Sequence, residues 1–152
     1  MLGLITENLL SGISETVNEK QINNENKANY DFSGLTVLVV DDDEVIGEFF
    51  ERVLGRYKAN VNVFTRGEKA LAYFETHAKD VDIVVTDQNM PDLNGEELAE
   101  KILAIRAEVE IILCSGLAKE EIESSLSAHG IKTFMRKPIR IEEFCRVINS
   151  LR

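Results

Sequence analysis

"LTVLVVDDDEVIGEFFERVLGRY", residues 35–57, decides the fold. Its opening, 35–40, is a continuous apolar run rich in β-branched residues, the pattern of a strand buried on both faces. Its close, 44–57, carries Val45, Phe49, Val53 and Leu54 at helical spacing. Between them stand Asp41, Asp42 and Asp43, with Glu44 following. Four adjacent acidic side chains repel one another unless solvent, a metal ion or a substrate supplies positive charge.

Outward from this unit the same strand–helix pair recurs. "ANVNVF" (59–64) alternates like a strand with one drier face, and 67–78 reads as helix. Strand "VDIVVTD" (81–87) precedes a helix over 95–107; strand "EIILCS" (110–115) precedes a helix over 119–130, closed by Gly130. Strand "IKTFMR" (131–136) precedes the last helix, 141–152. Five strands and five helices in strict alternation, with short connections, predict right-handed βαβ crossovers and a parallel sheet covered on both faces.

In such a sheet, ligands bind beyond the carboxyl ends of the strands. The first strand delivers Asp41, Asp42 and Asp43 there; the third delivers Asp87, the fourth Ser115, and the fifth is followed by Lys137. The second brings Thr65 and Arg66, which are less telling. Clustered carboxylates without His or Cys suit Mg2+ or Mn2+ rather than zinc. Such an ion keeps open positions for phosphate oxygens. A lysine and a hydroxyl on the same edge are suited to hold the remaining oxygens of a phosphoryl group, and a carboxylate can be the nucleophile that accepts it.

Bulk properties agree with that chemistry. The 152 residues fit one domain, and an apolar content of 44% supports one sizeable core. A formal charge of −10 argues against nucleic acid or an anionic membrane surface as partner. Cys114 and Cys145 lack metal-site spacing and read as reduced core residues of a cytoplasmic protein. No apolar run reaches the roughly 18 residues of a membrane span, and the N-terminus lacks the basic start of a secretory signal. His77 and His129 fall near helix ends and read as surface residues. Leu2, Ile5, Leu9, Ile13 and Val17 recur at three- and four-residue steps, predicting a short amphipathic helix over 1–17. Residues 18–33, rich in Asn, Glu and Lys, read as a polar linker, and the domain proper is set at 34–152.

Residues 34–152 resemble a response-regulator receiver domain of the CheY-like family. "VVDDDE" resembles its acidic pair, with Asp41 and Asp42 in those positions. "VVTDQNMPDLNG" (84–95) resembles its phosphorylation segment, "IILCSG" its fourth-strand segment, and "FMRKPI" its fifth. The resemblance implies a flavodoxin-like doubly wound fold with strand order 2-1-3-4-5. It implies Asp87 as phosphoacceptor for a histidine kinase, a histidine phosphotransfer protein or acetyl phosphate. Asp42, Asp87 and the backbone carbonyl of Asn89 would bind Mg2+ or Mn2+ directly, with Asp41 acting through water. Lys137 would pair with Asp87 and then with the phosphoryl group. Ser115 would turn inward onto a phosphoryl oxygen, and Phe134 would follow. The Lys137–Pro138 peptide would be cis. An output protein would read the surface of the fourth helix, fifth strand and fifth helix, with a phosphorylation-linked dimer as a further outcome. The domain would be no enzyme beyond self-catalysed phosphotransfer and autodephosphorylation. The apolar Leu117, where a polar residue could help place water, implies slow to moderate dephosphorylation.

Two rivals remain on sequence grounds. "DDDEV" also fits the start of a haloacid dehalogenase-type phosphatase, with Asp41 as nucleophile and Asp43 as acid. That reading leaves "TDQNMPDLNG" unexplained and finds only Glu142 and Glu143 after the lysine. The other rival is a degenerate receiver that acts only as an interaction module. Asp43 itself reads as the N-cap of the first helix, and Asp92 and Asn94 as turn formers. The chain ends after its fifth helix, as expected of a stand-alone regulator or the receiver of a hybrid histidine kinase.

Overall fold

The structure, a computed structural model, describes residues 29–152. The amphipathic segment 1–17 and most of the polar linker lie outside the described residues. The elements alternate: β1 (Thr36–Val40), α1 (Glu44–Arg56), β2 (Asn60–Phe64), α2 (Gly67–His77), β3 (Ile83–Asp87), α3 (Gly95–Ile105), β4 (Glu110–Ser115), α4 (Lys119–Ala128), β5 (Thr133–Arg136) and α5 (Ile141–Leu151). All pairings are parallel, and the sheet order is β2-β1-β3-β4-β5. This is the flavodoxin-like arrangement expected from the sequence. β4 matches its apolar pattern, and the other strands and helices are one or two residues shorter than theirs, because those patterns run on into the turns.

Side-chain alternation along the strands divides the core in two. Val37, Val39, Ile83, Val85, Ile112 and Cys114 meet Phe49, Phe50 and Val53 of α1 and Phe144, Cys145 and Ile148 of α5. Leu38, Val40, Val84, Ile111 and Leu113 meet α2, α3 and α4 through Ala70, Phe74, Leu98, Ile102, Ile122 and Leu126. The sheet is therefore dry on both faces, which leaves its carboxyl edge as the place where polar groups gather.

Local chemistry starts and stops the helices. Asp43 caps α1, its Oδ1 accepting from the Val45 amide at 3.0 Å. Asn94 caps α3 in a reciprocal box: Oδ1 accepts from Glu97 N at 2.8 Å, and Glu97 Oε1 from Asn94 N at 3.2 Å. The chain leaves α4 through Gly130 at φ +75°, a left-handed geometry that glycine adopts without strain.

Packing begins before Gly34, where the sequence pattern sets the start of the domain. Phe32, inside the stretch read as polar linker, is fully buried. Its amide donates to Tyr57 O at 2.7 Å, and its ring packs with Tyr30 and Tyr57. Two aromatic residues in a polar stretch are too sparse to register as a periodic pattern, yet they suffice to anchor it.

Candidate functional site at the carboxyl edge

Asp41 follows the last residue of β1, and Asp87 is the last residue of β3, its neighbour in the sheet. Carboxylate oxygens of Asp41, Asp42 and Asp87 lie within 4.8 Å of one another. Lys137, directly after β5, reaches across β4: its Nζ donates to Asp87 Oδ1 at 2.7 Å and to Asp41 Oδ2 at 3.3 Å. The peptide between Lys137 and Pro138 is cis. Asp41 Oδ1 accepts from the Asp43 amide at 2.9 Å, which fixes the carboxylate against the start of α1.

The three acids are not equivalent. Asp41 is 2% exposed, and burial pushes its carboxyl up to about 6 against the pull of Lys137. Burial also raises the Asp87 carboxyl; the hydrogen bond and charge of Lys137 oppose it, and the charge of Asp42 adds to it. Asp42 is exposed. At Lys137 burial disfavours the ammonium, but attraction to Asp41 and Asp87 wins and its pKa is raised. One ammonium thus faces three carboxylates, two of them poorly hydrated. An oxygen-only donor set of this kind fits a hard divalent cation such as Mg2+.

Ser115 ends β4 and is 1% exposed. Its hydroxyl donates to Gln88 Oε1 at 2.5 Å and accepts from the Leu117 amide at 3.0 Å. Asn89 is exposed two residues beyond Asp87. Phe134 pairs in register with Leu113 and packs half-buried against the α2–α4 side of the core. Gly95 opens α3 hard against β3: a Cβ there would collide with Asp87 O and with Leu113 Cδ1 at 2.6 Å. Cys114, beside the site, is fully buried and its thiol is pushed up to about 12, so it is no nucleophile. His77 is stacked on Tyr73, and His129 meets Ser125 O; both lie apart from the acidic cluster.

Two residues escaped the sequence reading. Asp92, whose sequence context suggests only a turn, caps α2 from a distance: its carboxylate accepts from Gly67 N at 3.3 Å and Glu68 N at 2.9 Å. Gln88 was not singled out. Strand parity could have found it, since 88 and 115 fall on the same side as the inward residues of α3 and α4.

Fold and edge together define a flavodoxin-like α/β protein with a lysine-bridged carboxylate cluster, the CheY-like class. The chain belongs to the response regulator receiver domain family, whose profile matches residues 37–149. Among curated relatives, the two-component response regulator ARR2 of Arabidopsis thaliana is 32% identical over 110 residues, 72% of this chain and 16% of that protein. The two-component response regulator ARR14 of the same plant is 30% identical over 111 residues, 73% of this chain and 29% of that protein. The chain thus spans less than a third of the length of these relatives. A chain in the crystal structure of the CheX–CheY–BeF3–Mg2+ complex from Borrelia burgdorferi superposes with a TM-score of 0.72 at 26% identity, covering 76% of this chain and 87% of that one. A response regulator receiver domain protein from Clostridium thermocellum shares the fold, with a TM-score of 0.72 at 23% identity over 77% of this chain and 93% of that one. Neither rival reading is favoured. Asp43, the acid the phosphatase reading needs, spends its carboxylate on capping α1. No helix among the described residues is long and apolar enough to cross a membrane.

Proposed function

We propose that the edge accepts a phosphoryl group on Asp87 from the phosphohistidine of a kinase or phosphotransfer protein, or from acetyl phosphate. The observation that carries this reading is Lys137 Nζ held 2.7 Å from Asp87 and 3.3 Å from Asp41 within a three-carboxylate cluster. An Asp87 carboxylate oxygen forms the new bond to phosphorus as the phosphorus–nitrogen bond breaks. The imidazole leaves with that electron pair. Asp41, Asp42, Asp87 and the backbone carbonyl of Asn89 would hold Mg2+ or Mn2+, with Asp41 acting through water. Such an ion, when bound, neutralises charge on the phosphoryl oxygens. Lys137 turns from the carboxylate to a phosphoryl oxygen, donating where negative charge develops.

Ser115 then donates to a second phosphoryl oxygen and Phe134 moves inward, which alters the surface of α4, β5 and α5 for an output protein or a second copy. The described domain acts as a phosphoacceptor rather than as a multiple-turnover enzyme, and Leu117 favours slow to moderate loss of the phosphoryl group. The chain serves as a cytoplasmic regulator, either alone or as the receiver of a larger signalling protein, with residues 1–28 as its upstream segment.

Intact mass after incubation with acetyl phosphate and Mg2+ tests this, wild type beside Asp87→Ala. One added phosphoryl group in wild type, dependent on the ion and absent in the variant, supports the reading. Binding of Mg2+ and phosphoryl donor without any mass gain, from acetyl phosphate or a phosphorylated kinase, would overturn it in favour of a degenerate interaction module.

A further inference from the structure

Ser115 does not wait with a free hydroxyl. A serine hydroxyl has one proton, and here that proton is given to Gln88 Oε1 at 2.5 Å. The orientation of the Gln88 amide is set by its other neighbour. Glu96, 8% exposed in the first turn of α3, accepts from the Gln88 amide nitrogen on its Oε2, 3.3 Å away, which leaves the amide oxygen facing Ser115. The same Glu96 oxygen accepts from Ser125 Oγ of α4 at 2.7 Å. The chain of donors therefore runs from the Leu117 amide through Ser115 to Gln88, and from Gln88 and Ser125 onto Glu96. It ties β4, the β3–α3 connection, α3 and α4 together.

We infer that Gln88 is a positioning residue that holds Ser115 retracted, with Glu96 and Ser125 as its brace, so that phosphorylation must break this bond before the switch can turn. This rests on the phosphoacceptor reading. When Ser115 swings to a phosphoryl oxygen, Gln88 Oε1 loses its partner in a half-buried site. That loss weighs against the active state and passes through Glu96 to the position of α4. Gln88 thus sets how readily the receiver switches, in addition to the groups that bind the phosphoryl oxygens.

The test is the affinity of the Mg2+-loaded protein for beryllofluoride, a phosphoryl analogue, measured by 19F NMR or calorimetry on the full chain. Gln88→Met keeps the side-chain length and removes the acceptor. It should bind beryllofluoride roughly three- to tenfold more tightly, the range that loss of one neutral hydrogen bond from the inactive state allows. Ser125→Ala, away from the acidic edge, should give a smaller gain in the same direction and serves if Gln88→Met folds poorly. The decisive readout is the double variant with Ser115→Ala: the gain must vanish, because no hydroxyl remains to be retracted. A gain that persists without Ser115, or unchanged affinity in both single variants, overturns the inference while the phosphoacceptor reading stands. No beryllofluoride binding by wild type overturns that reading, and this inference with it.

Discussion

Burial separates Asp41 chemically from Asp42, its exposed neighbour in sequence. With its carboxyl pushed up to about 6, Asp41 holds its proton in the metal-free protein over a range where an ordinary aspartate has lost it. Because the folded value lies above the unfolded one, the associated stability is fully present below the ordinary carboxyl value of 3.8 and is lost as pH rises through about 6. The metal-free protein should therefore lose stability over that window, read by melting temperature. A divalent cation displaces the proton, so its affinity should fall as pH drops below about 6, by up to tenfold per unit; calorimetry with Mg2+ at several pH values measures this. Lys137 belongs to the same scale. Lys137→Met should slow phosphorylation by acetyl phosphate by about 10²–10³-fold, the usual effect of removing one donor from a developing negative charge. Mg2+ affinity should not fall, since a competing positive charge has gone. Asp41, Asp42, Asp87, Ser115 and Lys137 could be listed from the strand ends of the sequence because parallel topology sends every strand end to one edge. Strand parity reaches Gln88 but not its bond to Ser115, since that bond depends on how Glu96 orients the Gln88 amide in the folded chain.

Among the elements, the connection from β3 to α3 is braced at both ends. Asp92 satisfies the first amides of α2, a helix whose own N-cap residue, Arg66, makes no side-chain cap bond. Burial works against the Asp92 charge, but the hydrogen bonds from Glu68, Leu93 and Gly67 outweigh it and its pKa is lowered. That stabilisation is present above 3.8 and is lost as pH falls through the lowered folded value. Asp92→Ala should cost about 1 kcal/mol, the usual worth of a cap, in urea unfolding at neutral pH, and less in acid. At the other end Gly95→Ala would force α3 away from Asp87. It should destabilise by about 1–3 kcal/mol, as overpacking does, and slow phosphorylation through the displaced acceptor. The sequence carries the helices themselves plainly in their apolar spacing. It hides the cap on α2, because the capping residue lies 24 positions downstream of Glu68 and only the folded chain brings them together.

Across the described residues, the acidic cluster sits on the carboxyl edge and Phe32, ahead of β1, packs toward the opposite one. Phe32 joins the α1–α5 half of the core, its ring under the guanidinium of Arg152 at 5.5 Å. Arg152 also donates to Asp31 O at 2.5 Å, linking the described chain's two ends. Phe32→Ala should lower stability by about 3–5 kcal/mol, the cost of emptying a buried aromatic site, while phosphorylation of the folded fraction stays as in wild type. The doubly wound architecture was legible because each strand–helix pair has its own period. The packing of Tyr30 and Phe32 was not, because they stand alone among polar residues and declare their role only when packed.

The most direct test of the central claim is the identity of the residue that carries the phosphoryl group. After incubation with acetyl phosphate and Mg2+, borohydride reduces an aspartyl phosphate to homoserine, and peptide mass mapping finds the altered position. The expected result is conversion at Asp87 alone. Conversion at Asp41, or continuous release of phosphate with no residue trapped, would contradict the receiver chemistry and return the site to the phosphatase reading.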